Sequence, residues 1–511
     1  MAETDTLSEL LAGRRPVESH AGFPRFDVDV GAWTAAAELA GRGEAELVSL
    51  WGDPLRVHMA LRAPGASPFV ISLTVSGGGF PSVGRHHPPA IRLERAIRDL
   101  YGLVPEGALD TRPWLDHGQW ERRAPLGGNE PAQLTNPVAY EFQEVHGHGL
   151  HQIPVGPVHA GIIEPGHFRF TANGETVARL EERLGYVHKG IDGLLTGADL
   201  ATAARIVARV SGDSTVALSF AFARAVEAAL GVPPPPRAVV LRGVMAELER
   251  IANHLGDIGA VCNDAAFALI LAWCGIFREQ VLGACDHAFG HRLMMDRIVP
   301  GGVATDPFPD GIAADGAHRI LDALEDFASR FEDVVTHYDD TPSLQDRTSG
   351  TGVTDPDLVT RWAAGGHVGR ASGRDFDARR DLVYPPYDAV AFAVPVYGTC
   401  DVDARVRVRI DEVRASMKMV RDWLRSLPDG PASVALPRAV WQREGMAITE
   451  SFRGDVLVWL ALDGSTVERC HVRDPSWFQW PLLEAAIKNN IVADFPLCNK
   501  SFNCSYSGHD L

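Results

Sequence analysis

The sequence predicts an α+β protein. A small N-terminal α+β domain (residues 1–125) is fused, through a linker (126–150), to a mainly α-helical domain with small β-sheets (151–511). Three observations predict this. The chain has 511 residues, more than one compact core accommodates. Strand-like and helix-like patterns alternate over its first part. From His159 onward the apolar patterns become long and helical.

The elements follow in order. Glu46 to Trp51 and Leu55 to Leu61 carry the apolar spacing of strands. Phe69 to Val75 is a β-branched run that ends at the Gly77-Gly78-Gly79 turn. Pro88-Pro89 introduces a helix from Ala90 to Tyr101. Arg122 to Asn136 is rich in Gly, Pro and Asn and reads as linker. A short β region, Phe168 to Ala172 and Val177 to Tyr186, precedes the helices. Ser214 to Leu230 is apolar on nearly all faces, as a buried helix is, and Pro233 to Pro236 end it. Helices are predicted over Arg237 to Val261, Phe267 to Phe289 and Val402 to Leu427. Ile312 to Tyr338 is amphipathic, with Ile320, Leu321, Leu324, Phe327, Phe331 and Val334 on one stripe. Val456 to Leu462 and Val467 to Val472 resemble a hairpin around Asp463-Gly464. There is no internal repeat.

Composition narrows the function classes. Hydrophobic residues at 46% and charged residues at 22% are an ordinary globular balance. A net charge of −18 argues against nucleic-acid or anionic-lipid binding through the general surface, and fits plain solubility as well. No apolar run is long enough to predict a transmembrane helix, and Met1 to Arg15 lack the apolar stretch of a secretory signal. The seven cysteines are odd in number, with no pair spaced CxxC. That suits a reducing compartment and leaves no iron–sulfur ligand set in the chain.

Several long motifs stand in one order. They are VGPVHAGIIEPGHFRFTANGETVARLEERLGYVHKG (155–190), AELERIANHLGDIGA (246–260), HRLMMDRIVPGGV (291–303), GRASGRDFDARRDLVYPPYD (369–388), ESFRGDVLVWLALDG (450–464) and RDPSWFQWPLLEAAIKNNIVADFPL (473–497). Together they resemble the large subunit of energy-converting (group 4) nickel–iron hydrogenases and the quinone-site large subunit of complex I. FPSVGRHHPPAIRLERAIRDLYGLVPEGALDTRPWLDHGQW (80–120) resembles the small α+β subunit beside that large subunit in complex I. The two are fused in some relatives.

In the hydrogenases two CxxC motifs hold nickel. The first resembles R-V-C-G-x-C-S, and here Arg209-Val210-Ser211-Gly212-Asp213-Ser214-Thr215 lines up with it without a gap. The second would place its ligands at Ser505 and Gly508, with Cys504 one residue off. Nickel needs thiolates, which hydroxyls replace poorly. The expectation is a chain with no nickel–iron centre, its ligand positions degenerate at Ser211, Ser214, Ser505 and Gly508. The sequence ends at Leu511 without the family's C-terminal His tail, so maturation by cleavage is not expected. Cys498, Cys504 and His509 suit small buried groups better than a remnant metal site, since C-x5-C is not a zinc spacing.

The resemblance also implies site residues. His159 and Glu164 are the catalytic candidates, because a His–Glu pair passes protons once its pKa values are tuned toward neutrality. His167, Asp213, Arg370, Asp377 and Arg379 are the candidates for binding a cofactor or acceptor. The tyrosine that holds quinone in complex I would fall near Ser211 to Ser214, where none stands. A buried Asp213 would need a partner or water. His188 and Lys189, with Asp192, match an element that starts a helix. Glu247 and Glu249 are expected to face solvent or a partner. The expected partners are an iron–sulfur small subunit, which would carry the iron–sulfur cluster, and antiporter-like membrane-arm subunits. Quinone is the candidate acceptor, and no nucleic acid is expected. The implied place is the cytoplasmic face of the inner membrane. Three functions stay open: a coupling subunit of an oxidoreductase complex of the NADH:quinone or hydrogenase type, inactive alone; a non-catalytic assembly module; and a hydrogenase proper.

Overall fold

The structure, a computed structural model, describes residues 6–127, 139–159, 163–308, 315–439 and 441–511. Part of the expected linker and the start of the helix expected from Ile312 lie outside the described residues. The N-terminal part carries β1 (Arg25–Val28), α1 (Val30–Arg42), β2 (Glu46–Gly52), β3 (Arg56–Arg62), β4 (Phe69–Thr74) and α2 (Ile91–Tyr101). Next come β5 (Leu150–Val155), β6 (His167–Asn173) and β7 (Thr176–Arg183). Five long helices follow: α3 (Thr215–Leu230), α4 (Pro236–Asp264), α5 (Ala268–Phe289), α6 (Asp315–Asp340) and α7 (Val402–Arg425). The chain closes with β8 (Arg443–Ser451), β9 (Gly454–Asp463), β10 (Thr466–Arg473), α8 (Ser476–Ala486), α9 (Phe495–Phe502) and α10 (Tyr506–Asp510). Mixed helices and small sheets make this an α+β fold.

Three sheets organise these strands, and two further two-stranded sheets occur among the described residues. In the first, the order is β1-β4-β3-β2, with β1 parallel to β4. The second is the antiparallel β7-β6-β5. In the third, β8, β9 and β10 form a meander, and His20–Ala21 pairs in parallel with β8. A stretch near the N-terminus thus completes a C-terminal sheet. The expected hairpin around Asp463-Gly464 is the β9–β10 turn, with Gly464 at φ +61°. The sequence reading missed α1, whose start is marked by the Asp29 carboxylate accepting from Ala32 N. It also missed β8, every residue of which except Arg443 is buried, so no alternation marks it.

The helical half is a bundle of α4 to α7. Along α6, Ile320, Leu324, Phe327, Phe331 and Val334 are buried in it, while Leu321 is partly covered at its edge. By length and composition α5 would cross a membrane, unlike the expectation from uninterrupted runs. Here Ile270, Cys274, Phe277, Val281 and Cys285 turn inward against the neighbouring helices, while Leu269, Leu271 and Ile276 are exposed. α3 is buried nearly all round and stops at Gly231, in the left-handed region at φ +66°. Glu247 and Glu249 correct the sequence reading. They are 0% and 7% exposed, because this stretch of α4 is enclosed by α7, α3 and the β8–β9 turn; Glu247 pairs with Arg250 and Arg379, and Glu249 accepts from backbone amides of α3.

Candidate functional site

Of the four expected ligand positions, Ser211 and Ser505 line a cavity of about 540 Å³, with Ser214 and Gly508 hydrogen-bonded beside it. Five pieces of chain build it. The loop before β6 brings Ile163 and Glu164, and the turn before α3 brings Ser211, Gly212 and Asp213. The end of α4 brings Ala260 and Asp264, and the β8–β9 turn brings Arg453. The segment from α9 to α10 brings Asn499, Lys500, Asn503, Cys504, Ser505, Tyr506 and Ser507.

At its base the hydroxyls are spent on one another. Ser211 Oγ donates to Asp213 Oδ1 at 2.8 Å and lies 2.9 Å from Ser505 Oγ. A hydroxyl has one proton, so Ser505 is the donor to Ser211. Ser505 Oγ in turn accepts from Gly508 N at 2.9 Å. Arg453 Nη1 donates to Ser214 Oγ and to Asp213 Oδ1, both at 2.8 Å, and Nη2 completes a two-point pair with Asp213. Burial alone would raise the Asp213 pKa, but Arg453 overrides it and holds the carboxyl below its usual range. This is the partner that a buried Asp213 needs.

The donor set does not fit a nickel–iron centre. Three hydroxyls and a glycine offer no thiolate. A side chain is also sterically unwelcome at Gly508, where an added Cβ would stand 2.7 Å from Asp474 Oδ2 and 2.9 Å from Ser505 Oγ. Among the described residues no group of three or more His, Cys, Asp or Glu is arranged to hold a metal. Cys498 and Cys504 are buried thiols with raised pKa values, set by burial. His509 lies against Trp477, ring centroids 4.2 Å apart, with Nδ1 2.9 Å from Asp510 Oδ1.

The two catalytic candidates separate. Glu164 lines the cavity and accepts from Ser507 N at 3.1 Å. His159 does not line it. Its Nε2 closes its own loop on Gly166 O at 2.9 Å. His167 is also outside, with Arg169 Nε 3.2 Å from its Nε2 and Phe142 against its ring. Of the binding candidates, only Asp213 lines the cavity.

Arg370, Asp377 and Arg379 form a buried ion network behind it. Arg370 reaches Glu412, Glu450 at 3.0 Å and Asp377 at 3.3 Å. Arg379 bridges Asp377 at 2.6 Å and Glu247 at 3.1 Å, and Tyr387 donates to Glu247 at 2.6 Å. Glu412 also meets His254 Nε2 at 2.6 Å. Burial would raise Glu412, but Arg370 and Arg250 hold it well below the ordinary carboxylate range. A second buried group leads back to the cavity. Lys500 pairs with Asp257 at 3.0 Å, Asp257 with Arg409 at 3.2 Å, and Arg409 Nη2 lies 2.9 Å from His367 Nε2. Glu249 plays a separate part, accepting from Val216 N and Ala217 N at the start of α3; burial pushes its pKa up to about 8. His188 and Lys189 tie the chain's end to the first serine motif. His188 Nδ1 lies 2.7 Å from Asp510 O, and Lys189 Nζ donates to Arg209 O and Val210 O.

The sequence reading missed Asp264, Arg453, Asn499, Lys500, Asn503 and Tyr506. Arg453 sat within a quoted motif, ESFRGD, and only contact with Asp213 reveals its role. No tyrosine stands near Ser211 to Ser214, but Tyr506 lines the cavity from elsewhere. It comes from α10, far along the chain from Ser211, and its buried hydroxyl lies beside Asn499 without closing a hydrogen bond of good geometry.

Comparison with known proteins places the chain. Residues 264–447 match the family of the 49 kDa subunit of respiratory-chain NADH dehydrogenase. Formate hydrogenlyase subunit 5 of Escherichia coli is 30% identical over 441 residues, covering 84% of this chain and 77% of the relative. A subunit of the NADH-quinone oxidoreductase of Dehalococcoides mccartyi is 29% identical, covering 66% of this chain and 92% of the relative. A chain of the membrane-bound sulfane sulfur reductase, an archaeal respiratory membrane complex, shares the fold with a TM-score of 0.66 at 24% identity, over 71% of this chain and 99% of that one. The chain therefore belongs to the family of large subunits common to membrane-associated group 4 hydrogenase-type and complex I-like assemblies.

Proposed function

We propose that this chain is the large subunit of a membrane-associated oxidoreductase complex that works without a nickel–iron centre. Electrons would arrive from a cluster in an adjacent iron–sulfur subunit and pass to an acceptor at the cavity, with quinone the candidate. Antiporter-like membrane-arm subunits would move ions in step, with this chain on the cytoplasmic face. The N-terminal part, residues 1–125, would be a fused counterpart of the small α+β subunit of complex I.

One observation carries the reading. Serines and a glycine stand at the expected ligand positions, with the Asp213–Arg453 pair beside them, and the 540 Å³ cavity is lined by groups able to hold or pass protons. Glu164, Asp264, Lys500 and Tyr506 are those groups. Reducing a quinone to its quinol takes up two electrons and two protons, so the lining has a defined task. Glu164 would deliver protons, and Tyr506 would donate a hydrogen bond to an acceptor oxygen. The Asp213–Arg453 pair would fix the charge of the floor.

The test is the assembled complex carrying Glu164→Gln or Tyr506→Phe. Either variant is expected to lower acceptor reduction, by about 100-fold or more for the proton donor and less for the phenol, with subunit assembly intact. Unchanged rates would favour the assembly-module reading. Stoichiometric nickel in the purified complex would revive a hydrogenase.

A further inference from the structure

A second pocket, of about 360 Å³, lies apart from the cavity and shares none of its residues. Its size is that of a small-molecule site. The helix Leu200–Val207 supplies Leu200, Ala201 and Ala204, and facing them are Ile298, Val299 and Leu436. Among the described residues, its polar lining residues are Arg205 and Asp296.

Those two differ in how they are occupied. Asp296 is taken by Arg209, which donates to both carboxylate oxygens at 2.7 Å. Arg205 is exposed and meets no carboxylate within 4.0 Å among the described residues. Its guanidinium has only a long contact, 3.4 Å, to Thr202 Oγ1. The lining therefore carries one guanidinium, Arg205, and one carboxylate, Asp296, whose charge Arg209 offsets from beside the pocket. An uncommitted guanidinium at the rim of an apolar hollow matches an anionic head with a hydrocarbon tail.

We propose that this pocket binds an anionic amphiphile, its carboxylate or phosphate head on Arg205 and its tail along Leu200, Ala204, Ile298 and Leu436. The head selects by charge and the wall by burial of methylenes. The source is either a free acid or a membrane lipid, and the two share this chemistry.

Titration of the full chain in detergent-free buffer with octanoate, and with octanol as the uncharged control, tests it. Saturable octanoate binding in the millimolar range is expected, tighter than octanol. Arg205→Gln should weaken octanoate about tenfold and leave octanol unchanged. Ala201→Trp, at an exposed lining position, should block both while thermal unfolding stays as in the wild type. Competition by phosphatidylglycerol vesicles would assign the ligand to a membrane lipid; binding without competition would assign it to a free acid. Equal binding of octanoate and octanol, an unaffected Arg205→Gln, or no saturable binding by the wild type would overturn the proposal.

Discussion

Asp213 opens on the cavity while Arg453 is buried, and that asymmetry decides what each contributes. The Asp213 side chain is 38% exposed against 3% for Arg453. Removing the carboxylate strands a buried guanidinium, whereas removing the guanidinium leaves a carboxylate that water can reach. Asp213→Asn is expected to cost about 1–3 kcal/mol, below the fully buried case because of that exposure. Glu412→Gln, inside the dry network, should cost about 3–5 kcal/mol. Denaturant unfolding of both variants checks the order, and an equal loss would contradict it. Gly508 offers a steric test. Gly508→Cys should destabilise by about 1–3 kcal/mol through its clash with Asp474, and adding Asp474→Ala should recover part of the loss. At this scale the sequence spoke clearly about identities. The expectation that Ser211, Ser214, Ser505 and Gly508 stand at ligand positions rests on flanking motifs that set the register. Arg453 was not legible, because its meaning lies in a contact with a residue 240 positions away.

The turn that carries Arg453 and the start of α3 are the elements on which the cavity floor depends. Gly366, at φ +65°, packs against the Arg453 carbonyl so closely that a Cβ has no room. Gly366→Ala should cost about 1–3 kcal/mol or more and loosen the Arg453 turn; thermal unfolding and a crystal structure of the variant read both effects. Glu249 accepts from the first amides of α3. Its folded pKa of about 8 stands above the ordinary carboxyl value, so the folded chain binds the extra proton. Its contribution is fully present below about pH 4.5 and is lost as pH rises through about 8. Glu249→Gln should therefore flatten the fall in stability between pH 5 and 8, by up to about 1.4 kcal/mol per pH unit. A variant that follows the wild-type profile would show that Glu249 titrates normally. Long amphipathic or uniformly apolar helices were readable from period alone. Strand β8 was not, because burial on both faces erases alternation.

Across the whole molecule, the N-terminal sheet and the C-terminal meander meet at a seam of aromatic rings. Trp51 is stacked between His58 and His471, with centroids 5.3 and 5.0 Å away, and Trp459 lies against Trp51 and His58. Ser49 Oγ is 2.9 Å from His471 Nε2, and His58 Nε2 is 3.0 Å from Asp53. Burial, with Arg473 adding to it, pushes His471 down to about 3, and burial lowers His58 as well. For a depressed histidine, the stability is present above the unfolded value near 6.5 and is lost as pH falls toward 3. Acid unfolding should thus begin below about pH 6.5, and His471→Gln should make its slope shallower between pH 6 and 4. Following Trp fluorescence through an acid titration checks this, and identical slopes would remove His471 from the seam's titration.

The sequence by itself determined the family, the α+β class, the long helices and the absence of any CxxC pair. Those features rest on residue identity, spacing and period, which are local properties of a chain. The tertiary structure decided which candidates share a site. It joined Glu164 and Asp213 with Arg453, Lys500 and Tyr506, and sent His159, His167 and the Arg370 group elsewhere. It also turned Glu247 and Glu249 from expected surface groups into buried ones, Glu247 as a paired charge. The physical reason is that a charge is tolerated inside only beside its partner, and partners such as Glu247 and Arg379 are 132 residues apart in the chain. No local pattern encodes such a pairing, because it exists only once the helices pack.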